Sequence, residues 1–79
     1  MSELGPVSQA ILEYINERPG YIEIFRMINA VARKTGESHS HKWYRTQLMG
    51  LTLEDRIEAR VQRTGDKIAI LFKKKEAED

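Results

Sequence analysis

Ile57-Glu58-Ala59-Arg60-Val61-Gln62-Arg63-Thr64-Gly65-Asp66-Lys67-Ile68-Ala69-Ile70-Leu71-Phe72-Lys73 is the stretch whose reading decides the fold. Two strand-like runs, 57–63 and 67–73, flank Thr64-Gly65-Asp66. A two-residue Gly65-Asp66 loop is a type II′ hairpin turn, glycine supplying the positive φ at its first position. That turn pairs Thr64 with Lys67, Arg63 with Ile68, Val61 with Ile70 and Ala59 with Phe72. One face then holds Ala59, Val61, Ile68, Ile70 and Phe72, and the other Arg60, Gln62, Thr64, Lys67, Ala69 and Leu71. The turn chemistry and the apolar alternation select this register independently. The first face, Val61 and Ile70 included, is expected to lie on the core. Residues 74–79 read as a charged, frayed tail beyond an ordered core of about 6–73, with Lys73 already at its edge.

Upstream of the hairpin the period changes from two to 3.6. Val7, Ala10, Ile11, Tyr14 and Ile15 recur at helical spacing on one face. Pro6 suits a first helical turn and Arg18-Pro19-Gly20 stops the helix. Tyr21-Ile22 follows as a very short strand. A second helix starts near Glu23, with Ile24, Phe25, Ile28, Val31 and Ala32 as its apolar stripe, and Lys34 with Gly36 marks its end. After the polar link 37–40, Ser38 or Ser40 caps a third helix. On that helix Tyr44, Leu48 and Leu51 share a face with Gln47 at its edge, while Lys42, Arg45, Thr46 and Met49 point away. Trp43 sits on the flank, where a partly buried packing role is expected. The helix either stops at Gly50 or crosses it, at a cost of about 1 kcal/mol relative to alanine, and runs to Glu54. The longer helix is the expectation, and it leaves Leu53 exposed beside Met49.

Seventy-nine residues make one domain with a small core. The 41% hydrophobic and 32% charged content is that of a folded chain rather than a disordered one. Without cysteine there is no disulfide and no thiolate metal site, which suits a cytoplasmic or nucleoid-associated protein. No apolar run approaches a membrane span, and residues 1–6 lack the basic and apolar regions of a secretory leader. Catalysis is not expected: there is no glycine-rich phosphate loop, no cysteine nucleophile and no carboxylate pair beside a histidine. No cofactor or small-molecule substrate is implied. His39 and His41, two residues apart, do not share a helix face, and no third strong ligand lies close in sequence. The net charge is only +1, but Glu3, Glu13 and Glu17 load the first twenty residues and Glu76, Glu78 and Asp79 the last four. The body between, residues 21–75, is therefore basic and suits an anionic partner.

The order helix, short strand, helix, helix, strand, strand resembles the winged helix–turn–helix superfamily over nearly the whole chain. Winged-helix proteins often carry Leu-x-x-Leu-x-x-x-Gly-x-Ile where the third helix runs into the first wing strand. Here Leu48, Leu51 and Ile57 match, and Asp55 stands at the glycine position, one of the few residue types that accept a left-handed conformation. The second helix, some thirteen residues, is longer than in many members. The resemblance implies an α+β winged helix, a three-helix core with a C-terminal hairpin wing. It also implies a sequence-specific double-stranded DNA-binding protein, a small transcriptional regulator acting as a dimer on paired half-sites. Carried over, the third helix enters the major groove with Ser40, His41, Lys42, Arg45, Thr46 and Met49. The wing meets backbone or minor groove through Arg60, Arg63, Thr64 and Lys67. Those types fit the chemistry: Arg and Lys bond guanine O6 and N7, Thr a base edge or phosphate, and an apolar side chain the thymine methyl. The dimer surface falls on the first helix or on the Met49–Leu53 patch. The alternative is a protein-interaction module on the same scaffold, which a continuous strip of Trp43, Met49 and Leu53 would favour. RNA is a third option, without an obvious aromatic platform in the sequence.

Overall fold

Three helices and an antiparallel hairpin follow one another as α1 (Pro6–Asn16), α2 (Ile24–Thr35), α3 (His41–Leu53), β1 (Ile57–Thr64) and β2 (Lys67–Lys74) in the computed structural model, which describes residues 4–76. Each boundary has a local cause. Pro6 occupies the first turn of α1, where an amide N–H has no intrahelical partner anyway. The Glu23 carboxylate accepts from the N–H groups of Phe25 and Arg26, at 3.4 and 2.9 Å, and caps α2. Arg33 and Lys34 fill the last turn of that helix before Gly36 takes φ 75°. Ser40, not Ser38, caps α3, its hydroxyl accepting from Trp43 N–H at 3.1 Å.

The third helix crosses Gly50 and ends at Leu53, the longer of the two expected forms. Its end is a Schellman motif: Arg56 N–H bonds Leu51 O and Asp55 N–H bonds Thr52 O, both at 3.0 Å. Asp55 holds the left-handed position at φ 61°, the conformation expected where the resemblance places glycine. The hairpin has the expected register throughout, from Thr64–Lys67 at the turn to Ile57–Lys74 at the base. Tyr21-Ile22 is shorter than a strand. It makes a single antiparallel bridge to Lys73, with Ile22 N–H donating to Phe72 O at 2.9 Å.

The core is one cluster formed by Val7, Ala10, Ile11 and Ile15 of α1, Met27 and Val31 of α2, Tyr44, Leu48 and Leu51 of α3, with Ile22, Ile57 and Phe72. Ser8 Oγ donates to Gln47 Oε1 at 2.8 Å and fixes α3 against α1, with Gln47 at the edge of the buried face as expected. No helix among the described residues is long and apolar enough to cross a membrane.

Three expectations need correction. Met27, absent from the expected stripe of α2, is fully buried, while Phe25 is 64% exposed. With Glu23 as cap, the inward line of α2 runs through residues 27 and 31, and Phe25, in the first turn, faces outward. In the hairpin, Phe72 and Ile57 are buried and Ile70 is half-buried, but Ala59 is exposed and Val61 and Ile68 are 66% and 69% exposed. The hairpin outruns the three helices, so its inward face leaves the core halfway along. The ordered part runs further than expected: β2 continues through Lys73 and Lys74, both half-buried, and Lys73 pairs with Glu58 and Glu76. Residues 77–79 of the expected frayed tail lie outside the described residues.

Candidate nucleic-acid interface

On α3, packing of Tyr44, Leu48 and Leu51 into the core turns the opposite side to solvent. Lys42, Arg45 and Thr46 are exposed there, and Met49 is 39% exposed. Thr46 donates its hydroxyl to Lys42 O at 3.0 Å and keeps its oxygen lone pairs outward. His41 is half-buried with its ring 5.0 Å from that of Phe25. Ser40 uses its hydroxyl as the cap, so any anion at this end meets the first-turn N–H groups rather than a free serine.

His39 and His41 diverge. His39 stacks on Trp43 with ring centroids 3.8 Å apart, and its Nε2 lies 3.4 Å from Glu37 Oε1. Trp43 also meets Tyr44 edge-on, the half-buried packing role expected of it. It therefore does not join Met49 and Leu53 in one strip; Leu53 is 85% exposed on its own turn.

The hairpin carries Arg63, Thr64 and Lys67 at its exposed tip. Arg63 leans over the turn, its Nε 3.4 Å from Gly65 O. Arg60 stands apart: it lies further down β1 from the tip, beside Tyr21, whose phenol raises the guanidinium above its ordinary value by hydrogen bonding first and then charge. The structure thus groups Lys42, Arg45 and Thr46 on the helix and Arg63, Thr64 and Lys67 at the tip, with Arg60 set apart. Tyr21 as partner of Arg60 had no signal in the sequence, because thirty-nine residues separate them. Neither did Phe25 beside His41, which required the start of α2 to be placed within one residue.

Ion pairs neutralise part of the basic surface. Lys34 meets Glu13 at 2.7 Å, Arg56 meets Glu54 at 2.9 Å, Lys73 meets Glu76 at 3.3 Å, and Lys75 pairs with Asp55. Glu13 is held below the usual carboxylate range by the Lys34 hydrogen bond, and Lys34 is raised by the same bond. Lys73 is raised first by its hydrogen bond to Glu76. Among the described residues no carboxylate stands within ion-pair distance of Lys42, Arg45, Arg60, Arg63 or Lys67. An array of unneutralised cations on a helix and a neighbouring turn can hold polyanion oxygens at several points.

Comparison with protein-family models, with curated proteins and with solved structures gives no match to this chain.

Proposed function

We propose that the chain is a winged-helix protein that binds double-stranded DNA and serves as a small transcriptional regulator. In this reading α3 lies in the major groove. Lys42 and Arg45 reach guanine edges or phosphates, Thr46 a base edge or phosphate, and Met49 a thymine methyl. Arg63, Thr64 and Lys67 at the hairpin tip hold the flanking backbone or minor groove. Arg60, further down β1 beside Tyr21, contributes charge only. One module offers limited affinity, so a homodimer on paired half-sites completes the reading, through α1 or through Met49 and Leu53.

The observation that carries it is that α3 and the hairpin tip each present exposed cations, Lys42 with Arg45 and Arg63 with Lys67, with no carboxylate within ion-pair distance among the described residues; Arg18, Arg26, Arg33 and Lys74 are also without one, but lie outside α3 and the tip. A mobility-shift titration with random-sequence duplex separates this from a merely basic protein. The double variant Lys42→Glu/Arg45→Glu should lose binding, while Arg33→Glu/Lys34→Glu, with the same change in net charge at the end of α2, should keep most of it. Equal losses would mean that net charge alone drives association. A protein-interaction role is the second reading, favoured by the exposed Phe25, Val61 and Ile68.

A further inference from the structure

We infer that the open edge of β2 at Ile68 and Ile70 is a docking site for an extended, acid-flanked peptide of a protein partner, which adds to the hairpin as a third strand. The direction of the backbone groups follows from one bond. Ile22 N–H donates to Phe72 O at 2.9 Å, so Phe72 turns its backbone away from β1. Alternation along an antiparallel strand turns Ile70 and Ile68 the same way. The turn gives the same parity from the other end: the closing pair Thr64–Lys67 leaves Lys67, Ala69 and Leu71 bonded to β1. Tyr21-Ile22 covers this edge at Phe72 and Lys73, and the chain then turns into α2. Beyond that point the backbone groups of Ile68 and Ile70 have no backbone partner among the described residues.

A groove of about 380 Å³ runs beside this edge, walled by 22–25 on one side and by His41 and Arg45 on another. A strand laid there meets Ile68 and Ile70 on one face of the sheet and Ala69 and Leu71 on the other. Phe25 and Ile68, 64% and 69% exposed, are large apolar groups that line the groove with most of their surface open, Phe25 meeting the His41 ring at the edge of the site. Charge selects the flanks of the occupant. Arg45 and His41 line the groove, and Lys67 and Arg63 stand at its turn end. Glu23, the one carboxylate in the lining, is committed to capping α2. Main-chain bonds from the edge, apolar side-chain contacts and cationic ends together fit strand addition by an acid-flanked segment. A second copy of this chain fits less well, because Arg45, Arg63 and Lys67 would face their own like. The site does not depend on the DNA reading.

The test is fluorescence polarisation on the full chain with a labelled ten-residue peptide of alternating valine and threonine, closed by two aspartates at each end. Saturable binding is expected. Ile68→Pro removes an N–H that the β1 ladder does not use, so the hairpin should survive, checked by circular dichroism. Binding should fall about tenfold in that variant and about tenfold for a peptide methylated on alternate backbone nitrogens, as expected when backbone hydrogen bonds carry the affinity. The methylated peptide keeps the test valid even if the proline variant unfolds. Equal affinity for plain and methylated peptides would overturn the proposal. So would oligothymidylate binding that Phe25→Ala abolishes and Ile68→Pro spares, which would make the groove a base-stacking site. Self-association in sedimentation that Ile68→Pro removes would assign the edge to a second copy and overturn it equally.

Discussion

Arg45 and Arg63 carry the same charge on different supports, and the DNA reading gives them different tasks. Arg45 stands in mid-helix on the exposed side of α3, where a bidentate bond to a base edge is within reach. Arg63 and Lys67 stand beside a turn, where backbone contact is the geometry on offer. Once a selection step has supplied a cognate site, Arg45→Ala should cost about 1–3 kcal/mol on that site and less on random duplex. Arg63→Ala and Lys67→Ala should weaken both DNAs by similar factors and lower the salt slope by about one per lost phosphate contact. Paired titrations on both DNAs check this, and equal losses on both for all three variants would mean that α3 reads no bases. At this scale the sequence was most legible where one residue controls its own backbone. A serine cap was readable as Ser38 or Ser40, and the left-handed Asp55 from the resemblance that places it at a glycine position; Ser40 and Asp55 hold those places. Arg60 was not legible, because its neighbour Tyr21 arrives from a distant segment.

The hairpin shows what alternation can and cannot tell. Its register was readable in full, since a two-residue turn and a period of two must agree. Its burial was not, because nothing in 57–74 records where the three helices stop. Val61 and Phe72 share a face, yet one is 66% and the other 1% exposed. The consequence is a stability gradient along one strand pair. Phe72→Asp should unfold the chain: losing the ring alone costs about 3–5 kcal/mol, a buried carboxylate adds to that, and a chain this size has a total stability of the order of 5 kcal/mol. Val61→Asp should cost about 1 kcal/mol or less, as for an exposed strand position. Thermal melts by circular dichroism decide it, and a Val61→Asp variant that fails to fold would put the outer hairpin back in the core. The same gap in reading hid Met27, whose burial depends on which residue starts α2.

Across the whole molecule, Lys34, Arg56, Lys73 and Lys75 have carboxylate partners, while among the described residues the cations of α3 and the hairpin tip, and also Arg18, Arg26, Arg33 and Lys74, have none; the pairs and the α3 and tip cations each make their own prediction. The Glu13–Lys34 pair ties α1 to α2. Glu13 lies below its ordinary value of 4.5, so its contribution is full above that value and disappears as pH falls through the lower, folded one. Lys34 lies above 10.5, so its share is full below that value and is lost as pH rises past the folded one. Between these limits Glu13→Gln should lower the melting temperature slightly, and the difference from the parent should vanish in acid; a difference that persists there would deny the pair any role. The element order and the basic body were legible in the sequence as a whole. The division into paired and unpaired cations was not, since each ion pair except Arg56–Glu54 and Lys73–Glu76 joins segments at least fifteen residues apart, setting aside the histidine contact. The reading that the α3 and tip cations grip duplex DNA is tested most directly by the salt dependence of binding to random-sequence duplex. Four to six neutralised phosphates predict a slope of log affinity against log salt of roughly −4 to −5; folded protein that shows no binding at about 50 mM salt, where such contacts are strongest, would contradict it.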